Sequence, residues 1–109
     1  MINVIKDVST LSTIPEKDIV KFLKKFVYVI CDGVEESKLK GDTVSAFDLG
    51  IGVLYIKHEP NSEIEYKFIP CKYMDKGIKA TVNENKNPFT EDLNNSLVKK
   101  FTNAYKDLI

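Results

Sequence analysis

The fold is decided by Gly50-Ile51-Gly52-Val53-Leu54-Tyr55-Ile56-Lys57, then His58-Glu59-Pro60-Asn61-Ser62-Glu63, then Ile64-Glu65-Tyr66-Lys67-Phe68. Two apolar runs flank a segment rich in turn formers, with Pro and Asn adjacent, which reads as a β-hairpin. On the return strand Ile64, Tyr66 and Phe68 alternate with Glu65 and Lys67. Strict alternation predicts one buried and one wet face. Gly50 and Gly52 open the outgoing strand, where glycine marks a bulge or a close approach of chains.

Working outward, Thr43 to Phe47 alternates weakly and adds a strand before the hairpin, after a break at Gly41-Asp42. Upstream, Thr13-Ile14-Pro15-Glu16 announces a helix: Thr13 as cap, Pro15 in the first turn and Glu16 closing a capping box. Ile19, Phe22, Leu23, Phe26, Val27, Ile30 and Val34 follow at helical spacing, with Lys17, Asp18, Lys21, Lys24 and Lys25 on the other side. Gly33 either ends this helix or is tolerated at a cost of about 1 kcal/mol relative to Ala. A short opening helix is expected over Asn3 to Leu11.

Downstream, Pro70 ends the sheet and introduces a helix over Cys71 to Val82, with Met74, Ile78 and Val82 inward. Asn83 to Pro88 is a polar linker. Thr90 then caps a last helix whose stripe is Leu93, Leu97, Phe101, Ala104, Tyr105 and Leu108. The expected class is α+β: an N-terminal helical pair, a small antiparallel sheet with a short hairpin, a following helix and an extra C-terminal helix. Residues 1–83 form the main domain. Residues 84–109 are a linker and helical extension that packs on the same domain or on a neighbour.

Composition narrows the function classes. Sixteen basic residues balance sixteen acidic ones, and every basic residue is Lys. Without Arg, the side chain best suited to bidentate guanine contacts and narrow minor grooves is missing. Cys31 and Cys71 have no paired spacing, so neither a disulfide framework nor a zinc site is expected. The N-terminus lacks a signal-peptide pattern and no apolar run approaches the ~20 residues of a membrane span.

Catalysis finds little footing, because a general base must sit beside a nucleophile. His58 is the single histidine and falls near the hairpin tip, where a solvated side chain is expected. No catalytic residue, cofactor or metal is expected. Gly50-x-Gly52 lacks the third glycine of a phosphate loop and leads into a strand. The aromatic helix faces, with Phe22, Phe26 and Tyr28 on one helix and Phe101 and Tyr105 on another, offer either core or subunit contact.

In this order and spacing, Ile14-Pro15-Glu16-Lys17-Asp18, Phe26, Gly41-Asp42-Thr43-Val44, Gly50-Ile51-Gly52 and Phe68-Ile69-Pro70-Cys71-Lys72-Tyr73-Met74 resemble the HU/IHF family of DNA-bending proteins. Phe68, Pro70, Lys72 and Met74 match that family's F-x-P-x-K-x-[LM] segment position by position. The resemblance covers residues 3 to 83. It implies an HU/IHF-like fold and an intertwined dimer.

The departures from the family are specific. The hairpin is far shorter than the family's Arg- and Lys-rich arm, and its tip carries Glu59, Glu63 and Glu65. Carboxylates there oppose the counterion release that drives DNA binding. The chain is thereby similar to the short-armed IHF-like virion proteins, neck or tail ring components, of crAss-like tailed bacteriophages. That resemblance implies a non-enzymatic structural assembly protein, a head–tail connector, neck or tail ring subunit of the virion, forming a homo-oligomer or a ring with other virion proteins. His58, Glu59, Pro60 and Asn61 of the tip, with Phe101 and Tyr105, are the expected partner contacts. The alternative is an HU/IHF-type nucleoid protein of the bacterial cytoplasm that binds DNA weakly through lysines.

Overall fold

Asn3 starts the first helix as expected, its Oδ1 accepting from the backbone N–H of Lys6 at 3.2 Å. The structure, a computed structural model, describes residues 1–90. Its elements are α1 (Val4–Ser12), α2 (Glu16–Leu39), β1 (Val44–Asp48), β2 (Gly52–Lys57), β3 (Glu65–Pro70) and α3 (Lys72–Glu84). The strands form one antiparallel sheet in the order β1-β2-β3. The class is therefore α+β. The expected C-terminal helix, with Phe101 and Tyr105, lies outside the described residues.

The start of α2 departs from the expected capping box. The N-cap is Pro15, which makes no side-chain cap bond. Thr13 instead closes α1 in the left-handed conformation at φ 60°, and its hydroxyl donates to the carbonyl of Ser12 at 2.6 Å. Only three residues separate the two helices. Ending α1 therefore uses the residue that the sequence pattern assigns to starting α2. Gly33 does not break α2, which runs continuously for 24 residues.

The chain divides into two compact units. One comprises Met1–Phe47 and Leu54–Lys67; the other comprises, among the described residues, Asp48–Val53 and residues 68–90. In the first, α1 packs on α2, and Gly33 lets α2 approach β1. A Cβ there would stand 2.5 Å from the ring of Phe47. The backbone bond from His58 N–H to Thr43 C=O at 2.8 Å fixes the register of β1 on β2 in this unit. That register sets Ser45 across from Ile56 and Phe47 across from Leu54. Ser45 and Ile56, each 6% exposed, are the buried side chains at the centre of this unit.

In the second unit Gly50 takes φ 80°, a conformation glycine adopts without steric cost. Gly52 is the point of close approach: a Cβ on it would lie 2.5 Å from the carbonyl oxygen of Ile69. Cys71, rather than Pro70, opens α3, its Sγ accepting from the N–H of Met74 at 3.5 Å. Phe89 folds back on α3, stacking on Tyr73 with ring centroids 4.4 Å apart and covering Gly77. Of the three inward residues expected on α3, Met74 is half-buried, while Ile78 and Val82 are exposed.

The return strand corrects the sequence reading most. From Glu65 to Ile69 every residue of β3 is exposed. Tyr66 is 69% exposed, so the alternation there does not mark a face buried within this chain.

Candidate functional site

His58 is not a solvated tip residue. Its backbone closes the ladder opposite Thr43, so its side chain shares a strand face with Leu54 and Ile56. The ring is half-buried, and Nε2 lies 2.8 Å from the hydroxyl of Ser45. Nδ1 is buried without a hydrogen-bond partner among the described residues. The ring is thus held by one bond and carries one unsatisfied nitrogen. The sequence contained the signal: residues 54, 56 and 58 keep strand parity past the end of the apolar run.

A hydroxyl beside an imidazole has the composition of a nucleophile and its base. The geometry does not develop that chemistry. The Ser45 side chain is buried, and among the described residues no carboxylate holds Nδ1 to orient the ring. Among the described residues, no group of three or more His, Cys, Asp and Glu side chains converges as metal ligands would. The pair acts as a latch between β1 and the hairpin.

Around the latch lies an open groove of about 440 Å³, lined by Val27, Ile30, Cys31 and Val34 of α2 and by Leu54, Ile56, His58, Ile64 and Tyr66 of the hairpin. A second hollow of about 520 Å³ runs past Lys38, Asp42 and the tip residues Glu59, Pro60 and Ser62. Of the expected tip contacts, Glu59, Pro60 and Asn61 are exposed, and Asn61 turns the chain at φ 62°. Glu59 lies 3.9 Å from Lys57, so one of the few basic groups near the tip already faces a carboxylate. His58 is withdrawn from the tip by Ser45.

The larger feature is apolar and, among the described residues, largely uncovered. No residue of α2 is fully buried. Phe22, Phe26, Val27 and Val29 are all more than half exposed, Phe26 at 59%. Exposed apolar patches of this kind mark interaction surfaces. No helix among the described residues is long and apolar enough to cross a membrane. The outer face of α2 is basic over its first half, where Lys17, Lys21, Lys24 and Lys25 with Tyr28 line a shallow hollow of about 380 Å³. Comparison with protein-family models, with curated proteins and with solved structures finds no match.

Proposed function

We propose that this chain is a non-enzymatic structural assembly protein with an HU/IHF-like fold, a head–tail connector, neck or tail ring subunit of a tailed bacteriophage that works through subunit contacts. One observation carries the assembly reading: the aromatic face of α2 has little to cover it among the described residues. Leaving a Phe side chain in water forgoes about 1.5–3 kcal/mol of burial. A face with several such residues is accounted for when a second subunit covers it. The exposed edge strand β3 adds unpaired backbone groups that a neighbour can extend. The virion assignment rests on the family resemblance and the acidic, short hairpin.

The test is the assembly state of wild type and of Phe26→Asp by sedimentation velocity. Phe26 is exposed in the single chain, so the variant keeps its helical circular dichroism. It loses the oligomer, because a carboxylate buried at a subunit contact is costly. A wild type that is monomeric at every concentration, alone and with neighbouring virion proteins, refutes the reading. The alternative, weak non-specific DNA binding through lysines, is supported by the basic half of α2 and opposed by Glu59, Glu63 and Glu65. A gel-shift salt series separates the two, since phosphate contacts give a steep loss of affinity with salt.

A further inference from the structure

Lys17, Lys21, Lys24, Tyr28, Asp32 and Glu35 recur at spacings of three and four along α2 and so form one stripe on its outer surface. All six are exposed, and Tyr28 is 72% exposed. The stripe is divided by charge: basic before Tyr28 and acidic after it. None of its five charged side chains takes part in an ion pair among the described residues. The division also places like charges four residues apart, at Lys17 and Lys21. Such a pair destabilises a helix by a few tenths of a kcal/mol. Within the chain the arrangement has a small cost and no return.

We infer that this stripe is a self-complementary contact, on which α2 of a second copy lies antiparallel with Tyr28 on the two-fold axis. The proposal rests on the assembly reading above and adds a second surface to it. In an antiparallel pair centred on Tyr28, facing residue numbers total 56. Lys24 then meets Asp32 of the partner subunit, and Lys21 meets Glu35 of the partner subunit. At the margin of the stripe the same register sets Asp18 level with Lys38 of the partner subunit, and along the stripe it opposes no two like charges.

The two-fold symmetry repeats each of these pairs. A parallel arrangement would instead stack lysine on lysine, so the pattern also rejects the wrong orientation. Helix α2, 24 residues long, is about 36 Å of rod at 1.5 Å per residue, which is long enough to present the whole register. A nucleic acid is the poorer occupant. Its phosphates would suit the lysines but would meet Asp32 and Glu35 on the same stripe.

Two charge-reversed variants test the pairing by sedimentation velocity at about 0.02 M and about 0.5 M salt, where exposed ion pairs are respectively felt and screened. Lys21→Glu with Lys24→Glu makes all four paired positions, 21, 24, 32 and 35, acidic; Asp32→Lys with Glu35→Lys makes all four basic. Each variant alone should lose the low-salt contact, with a dissociation constant weakened roughly tenfold or more as its symmetric pairs become repulsive. An equimolar mixture of the two should regain it, because every facing pair is again opposite in sign. Helical circular dichroism confirms that both variants are folded. The inference is overturned if either variant assembles alone like wild type, if the mixture recovers nothing, or if the wild-type low-salt species forms only with added duplex DNA. An oligomer that persists in high salt and ignores both reversals overturns this contact alone, whereas a wild type monomeric in all conditions overturns the assembly reading itself.

Discussion

Removing the Ser45 hydroxyl tests whether the latch holds the hairpin to β1. Ser45 is 6% exposed, its hydroxyl lies 2.8 Å from Nε2 of His58, and the other ring nitrogen already lacks a partner. Ser45→Ala leaves both nitrogens unsatisfied at a half-buried site, and a stranded polar group costs about 1–3 kcal/mol. The expected loss is about 2 kcal/mol. His58→Phe removes the unsatisfied nitrogen but strands the serine hydroxyl, for a net loss of about 1 kcal/mol by the same rule. The double variant strands nothing and keeps a planar ring against the groove. It should lie within about 0.5 kcal/mol of wild type, since apolar replacement of both partners is nearly neutral. The cycle therefore predicts a coupling of about 2–3 kcal/mol, at the upper end for residues in contact. Urea unfolding followed by far-ultraviolet circular dichroism is the assay, with tyrosine fluorescence as a second probe, since the chain has five Tyr and no Trp. Protein concentration must be fixed, because association raises apparent stability. Additive losses in the double variant would show that ring and hydroxyl do not interact, and would return His58 to the solvent-facing role that its position near the tip implies.

Two glycines give sharper steric outcomes. Gly52→Ala should destabilise by about 1–3 kcal/mol, the usual cost of overpacking, because its Cβ would meet the Ile69 carbonyl oxygen at 2.5 Å. Thermal unfolding checks it, and Phe68→Leu should rescue it only in part, since removing the ring 2.6 Å away leaves the Ile69 carbonyl in place. Gly33→Ala adds about 1 kcal/mol of helix propensity but drives a methyl into the Phe47 ring. Alone it should lose about 1 kcal/mol by the overpacking rule. In a Phe47→Leu background the same substitution should turn stabilising, and a loss in both backgrounds would refute the steric account.

The hairpin and the order of elements were legible because they rest on local signals: the apolar run of residues 50–56, the turn chemistry of Pro60 and Asn61, and the break at Gly41-Asp42. Two kinds of feature were not. Thr13 satisfies the rule for starting α2 and equally serves to end α1, and the three-residue link decides for α1. Ile64, Tyr66 and Phe68 carry the alternation of a buried face, yet they remain largely exposed. Periodicity records that a face is meant to be covered and is silent on which molecule covers it. The same holds for α2, whose apolar spacing is legible in the sequence while the choice between core and subunit contact is not. At the latch, parity could have placed His58 on the inner face. Its hydrogen bond to Ser45, thirteen residues away, depends on a register that no local pattern supplies.

The two faces of α2 have a consequence for assembly when taken together. Phe22 and Phe26 lie on one side of the helix, and Lys21, Lys24 and Tyr28 on the other, so one rod can be gripped from both sides without competition. Each contact, if isologous, consumes the same patch on both partners. A copy with two different isologous contacts has two distinct neighbours. Alternating the contacts from copy to copy then leaves two geometries. When the two-fold axes intersect at a suitable angle, the series closes into a ring of dihedral symmetry. When they do not, it continues as an open filament. Of the two proposed contacts, the apolar one would survive salt and the charged one would be screened. Raising salt should therefore dissect either assembly into the same apolar dimer, while only the closed form has a low-salt size independent of concentration. A ring subunit thus requires more than two sticky faces: it requires the angle between their axes, which 24 residues of continuous helix are well suited to hold fixed.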